Sequence, residues 1–507
     1  MYSAYDVVVV GGGNAALCAA LSARENGARV LVLERAPYEE RGGNSRFTAG
    51  GFRFGYEGVE DILALVPDLS EEQLANTEFG SYSEKDYFDD LARVTDYRAD
   101  PDLVNILVSR SFATLKWMAS HGVKFLPMYG RQAFKFNGKF KFWGGLAIEA
   151  NGGGPGLVEA LTAAAGKQDI EIQYGARATS LITDNDRVIG LRVRQDGRDL
   201  EVEAGAVVLA SGGFEANAEW RTRYLGPGWD MAKVRGTRFN TGDGIRMALD
   251  IGAMPWGNWS GAHACEWDMN APTFGDLAVG DGFQKHSYPL GILVNSKGER
   301  FLDEGADWRT HTYAKYGQVI LAQPGRFAWQ VFDSKTSSIL RDEYRIKQMT
   351  KVSSDTLEGL AARMDGVDKA GFLKTVAEYN SAVRGDIEFD PNTLDGKRTE
   401  GLNVDKSNWA NPIDQGPFEA YAVTCGVTFT FGGLRITNDT QVVDSDGLPI
   451  KGLYACGELV GGIFYNNYPG GTGLMNGAVF GRLAGATAAE SVNASIESVA
   501  DSVSVPV

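Results

Sequence analysis

The chain offers little to a metal ion. Its 507 residues include only four cysteines and four histidines. Cys18, Cys265, Cys425 and Cys456 make no C-x-x-C, no C-x-x-C-H and no disulfide framework, and the histidines show no paired ligand spacing. That pattern argues against zinc, iron–sulfur and haem sites. Isolated thiols of this kind read as packed side chains of a cytoplasmic protein. Positive charge is also scarce: 49 Lys and Arg stand against 65 Asp and Glu, a net charge of −16. Nucleic acid and anionic membrane surfaces are therefore poor partners. No apolar run approaches the ~18 to 20 residues of a membrane span. The opening Met1-Tyr2-Ser3-Ala4-Tyr5-Asp6 has no basic stretch and enters a strand at once, so no secretory signal is expected there. What remains is a long acidic chain, 44% hydrophobic, with enough length for two cores.

Glycine, in contrast, is plentiful, with 64 residues gathered in a few places. Asp6-Val7-Val8-Val9-Val10-Gly11-Gly12-Gly13-Asn14-Ala15-Ala16 reads as strand, glycine turn and helix, and Glu34-Arg35 follows the next apolar run, Val30-Leu31-Val32-Leu33. These are the parts of a dinucleotide fingerprint. Gly11 permits the tight turn, Gly13 lets backbone approach a pyrophosphate, Ala16 takes the small position between helix and sheet, and Glu34 accepts from a ribose hydroxyl. The helix beginning near Asn14 and Ala15 points its unpaired N–H groups at the phosphates. Further glycine-rich contacts follow at Arg41-Gly42-Gly43-Asn44-Ser45 and Thr48-Ala49-Gly50-Gly51. Two more end apolar strands, at Ala210-Ser211-Gly212-Gly213 and Cys456-Gly457-Glu458. Backbone of this kind lies against flat rings or phosphates, and four such contacts spread along the chain suit extended FAD better than a compact NAD site.

These motifs together resemble the flavoprotein superfamily of fumarate reductase and succinate dehydrogenase, which includes 3-ketosteroid Δ1-dehydrogenases and tricarballylate dehydrogenases. The opening glycine turn and Arg41-Gly42-Gly43-Asn44-Ser45 are most similar to the tricarballylate branch. The resemblance implies an α/β fold, a Rossmann-like FAD-binding domain with an inserted α+β capping domain, and a substrate held between them over the flavin. The composition shifts place the FAD-binding domain at 1–257 and 415–507 and the cap at 258–414. The resemblance also implies adenine contacts from backbone at Arg177-Ala178. In succinate dehydrogenase a His near the second glycine turn binds FAD covalently. Asn44-Ser45-Arg46 has none, so FAD is expected to be noncovalent.

Between these motifs, residues 55–100 read as acidic and largely helical, with Ser70-Glu71-Glu72-Gln73 as a capping box. Pro101 opens a helix whose apolar face carries Leu103, Leu107, Phe112, Leu115 and Met118. Further helices are expected over Leu157 to Ala165 and Ile245 to Ile251, and Asp196-Gly197 reads as a hairpin turn. The tail from Ala494 reads as loosely ordered.

Chemistry in this superfamily moves two hydrogens across a C–C bond, which requires carbonyl or carboxylate recognition, a base and an oxyanion site. Fumarate reductases carry Asn-Arg-Leu-Gly-Gly where this chain has Asn467-Tyr468-Pro469-Gly470-Gly471. Tyr-Pro-Gly is similar to the ketosteroid dehydrogenases, whose Tyr donates to the substrate carbonyl. Tyr468 is accordingly the candidate electrophile, and the helix starting near Thr472, with Gly473 and Leu474 in its first turn, faces flavin and enolate. Gly426-Val427-Thr428-Phe429-Thr430-Phe431-Gly432-Gly433 replaces two family histidines by Thr428 and Phe429. This argues against plain fumarate reduction, and Thr428 is either a substrate donor or a structural strand residue. Gly298-Glu299-Arg300-Phe301-Leu302-Asp303-Glu304 matches the cap signature that precedes a proton-shuttling Arg, one residue short of Arg309. Arg309 is thus a shuttle, a carboxylate anchor or a surface salt bridge. Tyr313 and Tyr316 are phenol bases or core aromatics, and His263 of Ala262-His263 is a carboxylate ligand, a proton relay or a packed His.

The resulting expectation is an FAD-dependent desaturase acting on a small oxo-carboxylic acid, such as a 4-oxocyclohexanecarboxylate-like ring. A tricarballylate-type dehydrogenase, a 3-ketosteroid Δ1-dehydrogenase and a non-catalytic flavin electron-transfer subunit are the alternatives. Oxygen, a quinone or a redox protein would accept the electrons, since no second dinucleotide fold or metal motif is present.

Overall fold

In the computed structural model, residues 5–136, 138–142 and 144–503 are described. In the strand Tyr5–Val10 the run from Val7 onward is wholly apolar because it is central in a parallel sheet, buried on both faces. It pairs in parallel with Arg198–Leu209 on one side and Val30–Glu34 on the other. Glu171–Tyr174 extends the sheet beyond Val30–Glu34, and Pro449–Ala455 lies beyond Arg198–Leu209, both parallel. An antiparallel extension, Arg177–Asp184 with Arg187–Gln195, completes it. Its turn to Arg198–Leu209 is Asp196-Gly197, with φ of 49° and 76°, the two left-handed residues that a tight hairpin requires.

The helix Asn14–Glu25 packs one face on this sheet and another on the C-terminal helix Thr472–Val503. Every fourth residue of the latter is glycine where the two helices touch. A Cβ at Gly481 would come within 2.4 Å of Ala15 O, and one at Gly485 within 2.1 Å of Ala19 O. That spacing brings the start of the second helix beside the first glycine turn. The same helix runs through the tail expected to be loose from Ala494, and residues 504–507 of that tail lie outside the described ones.

A second sheet is built on the long strand Phe418–Leu434, which pairs antiparallel with Pro255–Asp268, Ala328–Phe332 and Lys351–Ser354 and parallel with Lys233–Val234. Its outer part covers a separate apolar cluster that includes Ile292, Val331, Leu360, Phe372 and Phe418. At its inner end, Phe431 and Leu434 belong to the main core, so this one strand carries Thr428 and Phe429 from the cap toward the dinucleotide sheet. The result is the expected α/β architecture, a Rossmann-like domain with an α+β unit inserted. The proposed cap limits fall inside the strand Pro255–Asp268 and just before Phe418–Leu434.

Local expectations fare according to how local their cause is. Ser70 and Gln73 form the reciprocal capping box, and Pro101–Ser120 is a helix capped by the Asp100 side chain. The helix expected from Leu157 to Ala165 runs Gly153–Lys167 instead. Left-handed Gly152 serves as its N-cap, and Pro155 is tolerated in the first turn. The helix expected over Ile245 to Ile251 is Asp243–Leu249, beginning at left-handed Gly242.

Candidate functional site

A continuous cavity begins at the glycine turn, follows the carboxyl ends of the parallel strands and ends beneath the second sheet. Ligands bind at this edge of open α/β sheets. Its first half is mostly main chain. Gly11 has φ +119°, and a Cβ there would stand 2.3 Å from Ala210 O, so only glycine lets the ends of the two neighbouring strands meet. A Cβ at Gly12 would lie 2.4 Å from Glu34 Oε2 and would displace that carboxylate. Glu34 is buried and accepts from Ala36 N–H at 2.7 Å. Burial raises its pKa, and main-chain donors including Ala36, Gly42 and Gly12 oppose that shift.

Asn14 N–H donates to Ser45 Oγ at 3.0 Å and the Asn14 amide to Leu474 O at 2.8 Å, which ties the helix start to the second glycine turn and to the C-terminal helix. Gly13, Ala15, Gly43, Asn44, Thr48, Ala49, Gly51, Ala178, Ala210, Ser211, Gly212, Gly457, Glu458 and Gly473 also line the cavity. Ala16, Gly42 and Gly50 do not. Ala16 is in the core, while Gly42 and Gly50 shape the turns, their absent Cβ atoms facing Val158 and Gly153. At the ribose end, Arg35 donates to Thr241 Oγ1 at 2.5 Å and to Asp243 at 2.9 Å, and Arg177 grips the same Asp243 with two bonds. Asp243 and Asn240 line the cavity but carry no sequence signal beyond the Gly242-Asp243-Gly244 turn.

The other half is made of side chains from distant segments. The helix Arg309–Leu321 and the loop before Thr472 hold each other: Gly470 N–H donates to Thr310 O, and the Asn467 side-chain amide donates to His311 O. Buried Arg53 donates to Gly470 O at 2.8 Å from below. This docking sets Tyr313 against Tyr468, hydroxyl to hydroxyl in a short hydrogen bond. Burial raises both phenols, Tyr468 the more strongly, whereas nearby Arg235 and Arg309 pull Tyr313 back down. Tyr316 points elsewhere and donates to Asp303 O. His263 is fully buried behind the pair, its ring 4.9 Å from Tyr313, 4.8 Å from Tyr468 and 5.3 Å from Phe429, and it does not line the cavity. Neither ring nitrogen finds a partner among the described residues, and burial holds its pKa well below the ordinary value.

Arg309 is buried rather than on the surface, and among the described residues it forms no salt bridge. One terminal nitrogen lies 3.2 Å from His286 Nδ1, the other donates to Arg131 O at 3.1 Å, and Nε has no partner. Burial lowers its pKa by more than nearby Tyr288, Glu343 and Tyr313 raise it. Arg235 differs: Asp281 accepts from it at 2.7 Å and counteracts the burial that would otherwise lower it, while Arg131 binds the other Asp281 oxygen at 2.7 Å. Arg235 also donates to Thr428 Oγ1 at 3.3 Å. His286, Arg131, Arg235 and Asp281 were not singled out from sequence. His286 alone had a signal, as one of four histidines.

The cavity fits FAD on its own terms. A Cβ at Gly43 would meet nothing nearer than Asn240 Oδ1 at 4.0 Å and would take up cavity space. A helix N-terminus and a buried acid also stand where pyrophosphate and ribose bind in a Rossmann unit. Comparison agrees: the FAD binding domain family matches residues 6–474. A probable fumarate reductase, Ifc3, of Shewanella frigidimarina is 30% identical over 498 residues, covering 96% of this chain and 75% of the relative. The 4-oxocyclohex-2-ene-1-carboxylate 5-dehydrogenase of Sinomonas cyclohexanicum is 28% identical, covering 95% of this chain and 93% of the relative. The structure of 3-ketosteroid Δ1-dehydrogenase from Sterolibacterium denitrificans superposes with a TM-score of 0.74 at 23% identity, over 97% of this chain and all of that one, a likeness of fold. The chain belongs to the FAD-binding flavoprotein family of the fumarate reductase and succinate dehydrogenase superfamily. It is an FAD-dependent oxidoreductase.

Proposed function

We propose that the protein is a desaturase that introduces a C=C bond α,β to the carbonyl of a small oxo-carboxylic acid, such as a 4-oxocyclohexanecarboxylate-like ring. One observation carries this reading: a phenol pair and a buried guanidinium without a carboxylate partner face the same cavity. Arg309 binds the substrate carboxylate, whose charge replaces the missing partner. Tyr468 donates to the carbonyl and stabilises the enolate as it forms, helped by the N-terminus of the helix Thr472–Val503. Tyr313 takes the α-proton as its phenolate, formed by loss of its own proton to solvent and favoured by the charges of Arg235 and Arg309. His263 stays neutral and packs the two phenols in place. Bound FAD supplies the hydride acceptor.

The name of the Sinomonas relative supports an oxo-acid substrate, and the relatives named as reductases support the reverse direction on the same machinery. Noncovalent FAD, a cytoplasmic location, and oxygen, a quinone or a redox protein as electron acceptor belong to the same proposal. Among the described residues no helix is long and apolar enough to cross a membrane. Anaerobic bleaching of the flavin by a panel of oxo acids, tricarballylate and 3-ketosteroids tests the reading. Bleaching by an oxo acid is expected, and bleaching by tricarballylate or a steroid alone would overturn it.

A further inference from the structure

Beside the cavity lie two carboxyl groups that the chemistry above does not use. Glu215 is fully buried, and Glu458 lines the cavity between the glycine turn and the phenol pair. The Asn240 amide touches both, at 2.7 Å from Glu215 Oε1 and 3.4 Å from Glu458 Oε2. The Asn44 amide donates to the same Glu215 oxygen at 2.7 Å. Thr430 N–H donates to Glu458 Oε1 at 2.9 Å. Among the described residues Glu215 Oε2 has no donor, and the single nitrogen Asn240 Nδ2 holds the two carboxyls side by side.

Two carboxylates cannot both be charged at such a distance without water or a cation, so one proton must sit between them. Burial and mutual repulsion push Glu215 well above the usual range. Burial raises Glu458 as well, but main-chain donors at Thr430 and Gly213 counter it. Glu215 is therefore the acid and Glu458 the carboxylate. Of the charged groups packed around them, Arg221 spends its guanidinium on the carbonyls of Glu215, Trp229, Asp230 and Ala232. The segments bearing Asn44, Asn240 and Thr430 present only amides, a hydroxyl and main chain to the pair, and among the described residues neither carboxyl forms a salt bridge.

We infer that Glu215 and Glu458 form a shared-proton pair that takes up a second proton when the bound flavin is reduced, and so balances the negative charge gained there. Two-electron reduction adds charge to the cofactor inside a buried cavity, where an uncompensated charge interacts strongly with a neighbouring carboxylate. The pair is neither oxidised nor reduced. It gains one proton from solvent, and the electrons come from the substrate or, in a titration, from the electrode. The inference needs FAD but not the substrate assignment, so it stands or falls separately from the oxo-acid proposal.

Spectroelectrochemical titration of the holoenzyme above neutral pH provides the test. The wild-type potential should fall about twice as steeply with pH as that of Glu458→Gln, because two protons rather than one accompany the two electrons. Equal slopes would overturn the inference. Should Glu458→Gln fail to hold flavin, reduced-minus-oxidised infrared spectra of wild type replace it. A protonated-carboxyl band should appear on reduction and shift in Glu215→Gln, whose amide changes that carboxyl's partner. No such band, or one that Glu215→Gln leaves in place, refutes the pair.

Discussion

The two ends of the cavity are built on different principles. At the dinucleotide end most contacts come from main chain, held open by glycines at which a Cβ would strike a neighbour: Gly11 against Ala210, Gly12 against Glu34. At the far end they come from side chains, Tyr313, Tyr468, Arg309, His286 and Arg235, delivered by four separate stretches of chain. The first end is rigid and chemically general, since any dinucleotide presents a pyrophosphate and a ribose. The second sets what reacts. Its polar groups are left short of partners: among the described residues Arg309 Nε, His286 Nε2 and Thr310 Oγ1 have none. An unpaired buried donor costs about 1–3 kcal/mol, so these groups gain most when a substrate satisfies them.

That contrast predicts where substitutions act and how strongly. The largest effect belongs to Tyr468→Phe, which removes a donor to charge that develops only in the transition state. The kcat for an oxo acid should fall about 10²–10³-fold with little change in KM. Wild-type turnover would end the carbonyl-activation idea and favour a tricarboxylate substrate. Next is Arg309→Ala, where loss of a charge-assisted anchor should raise KM for the acid about 10- to 100-fold. A fall in kcat at constant KM would instead make Arg309 a proton shuttle. Neither change should alter FAD content, and either doing so would blur the division between the ends.

At the opposite end, Glu34→Ala should weaken FAD binding about tenfold and leave kcat of the loaded enzyme alone. Flavin affinity can be followed by its fluorescence, which in both proteins should be released by heat. Fluorescence retained in the precipitate would mean a covalent link.

The smallest effect concerns the support of the substrate end. Asp307 precedes the helix Arg309–Leu321 and is bound to Arg93 at 2.6 Å. Burial works to raise its pKa, but hydrogen bonding and charge from His311 and Arg93 hold it down to about 2. A depressed acid stabilises the fold above its unfolded pKa of about 4, and that contribution fades as pH falls toward the folded value. Asp307→Asn should therefore cost about 1 kcal/mol near neutral pH. The gap in thermal midpoint between the two proteins should narrow as pH drops from about 4 toward 2. A constant gap would mean that the charge of Asp307 does not matter.

Legibility in the sequence follows the same line. The fingerprint residues Gly11 to Ala15 and Glu34 stand on one strand–turn–helix unit and its neighbouring strand, so their pattern and their function share a local cause. Tyr468 and Arg309 stood out through short motifs. Asn240, Asp243, Arg131, Asp281 and His286 did not, because each acts through a partner that sequence does not place beside it. Arg131 reaches Asp281 across 150 positions, and Arg35 reaches Asp243 across 208.

By itself the sequence determined the parallel sheet, its glycine turn and an extended dinucleotide at its edge. Those depend on φ/ψ freedom and apolar runs within a few residues. It also supplied the phenols Tyr468 and Tyr313 as candidates, but not their contact. Only the tertiary structure decided that Tyr313 meets Tyr468, that His263 lies behind them and not in the cavity, and that Arg309 is buried without an acid. It likewise decided that Glu215 and Glu458 meet at the Asn240 amide. Each of these is a contact between segments far apart in the chain, made where the second sheet closes over the first, and contacts of that kind leave no periodicity to read.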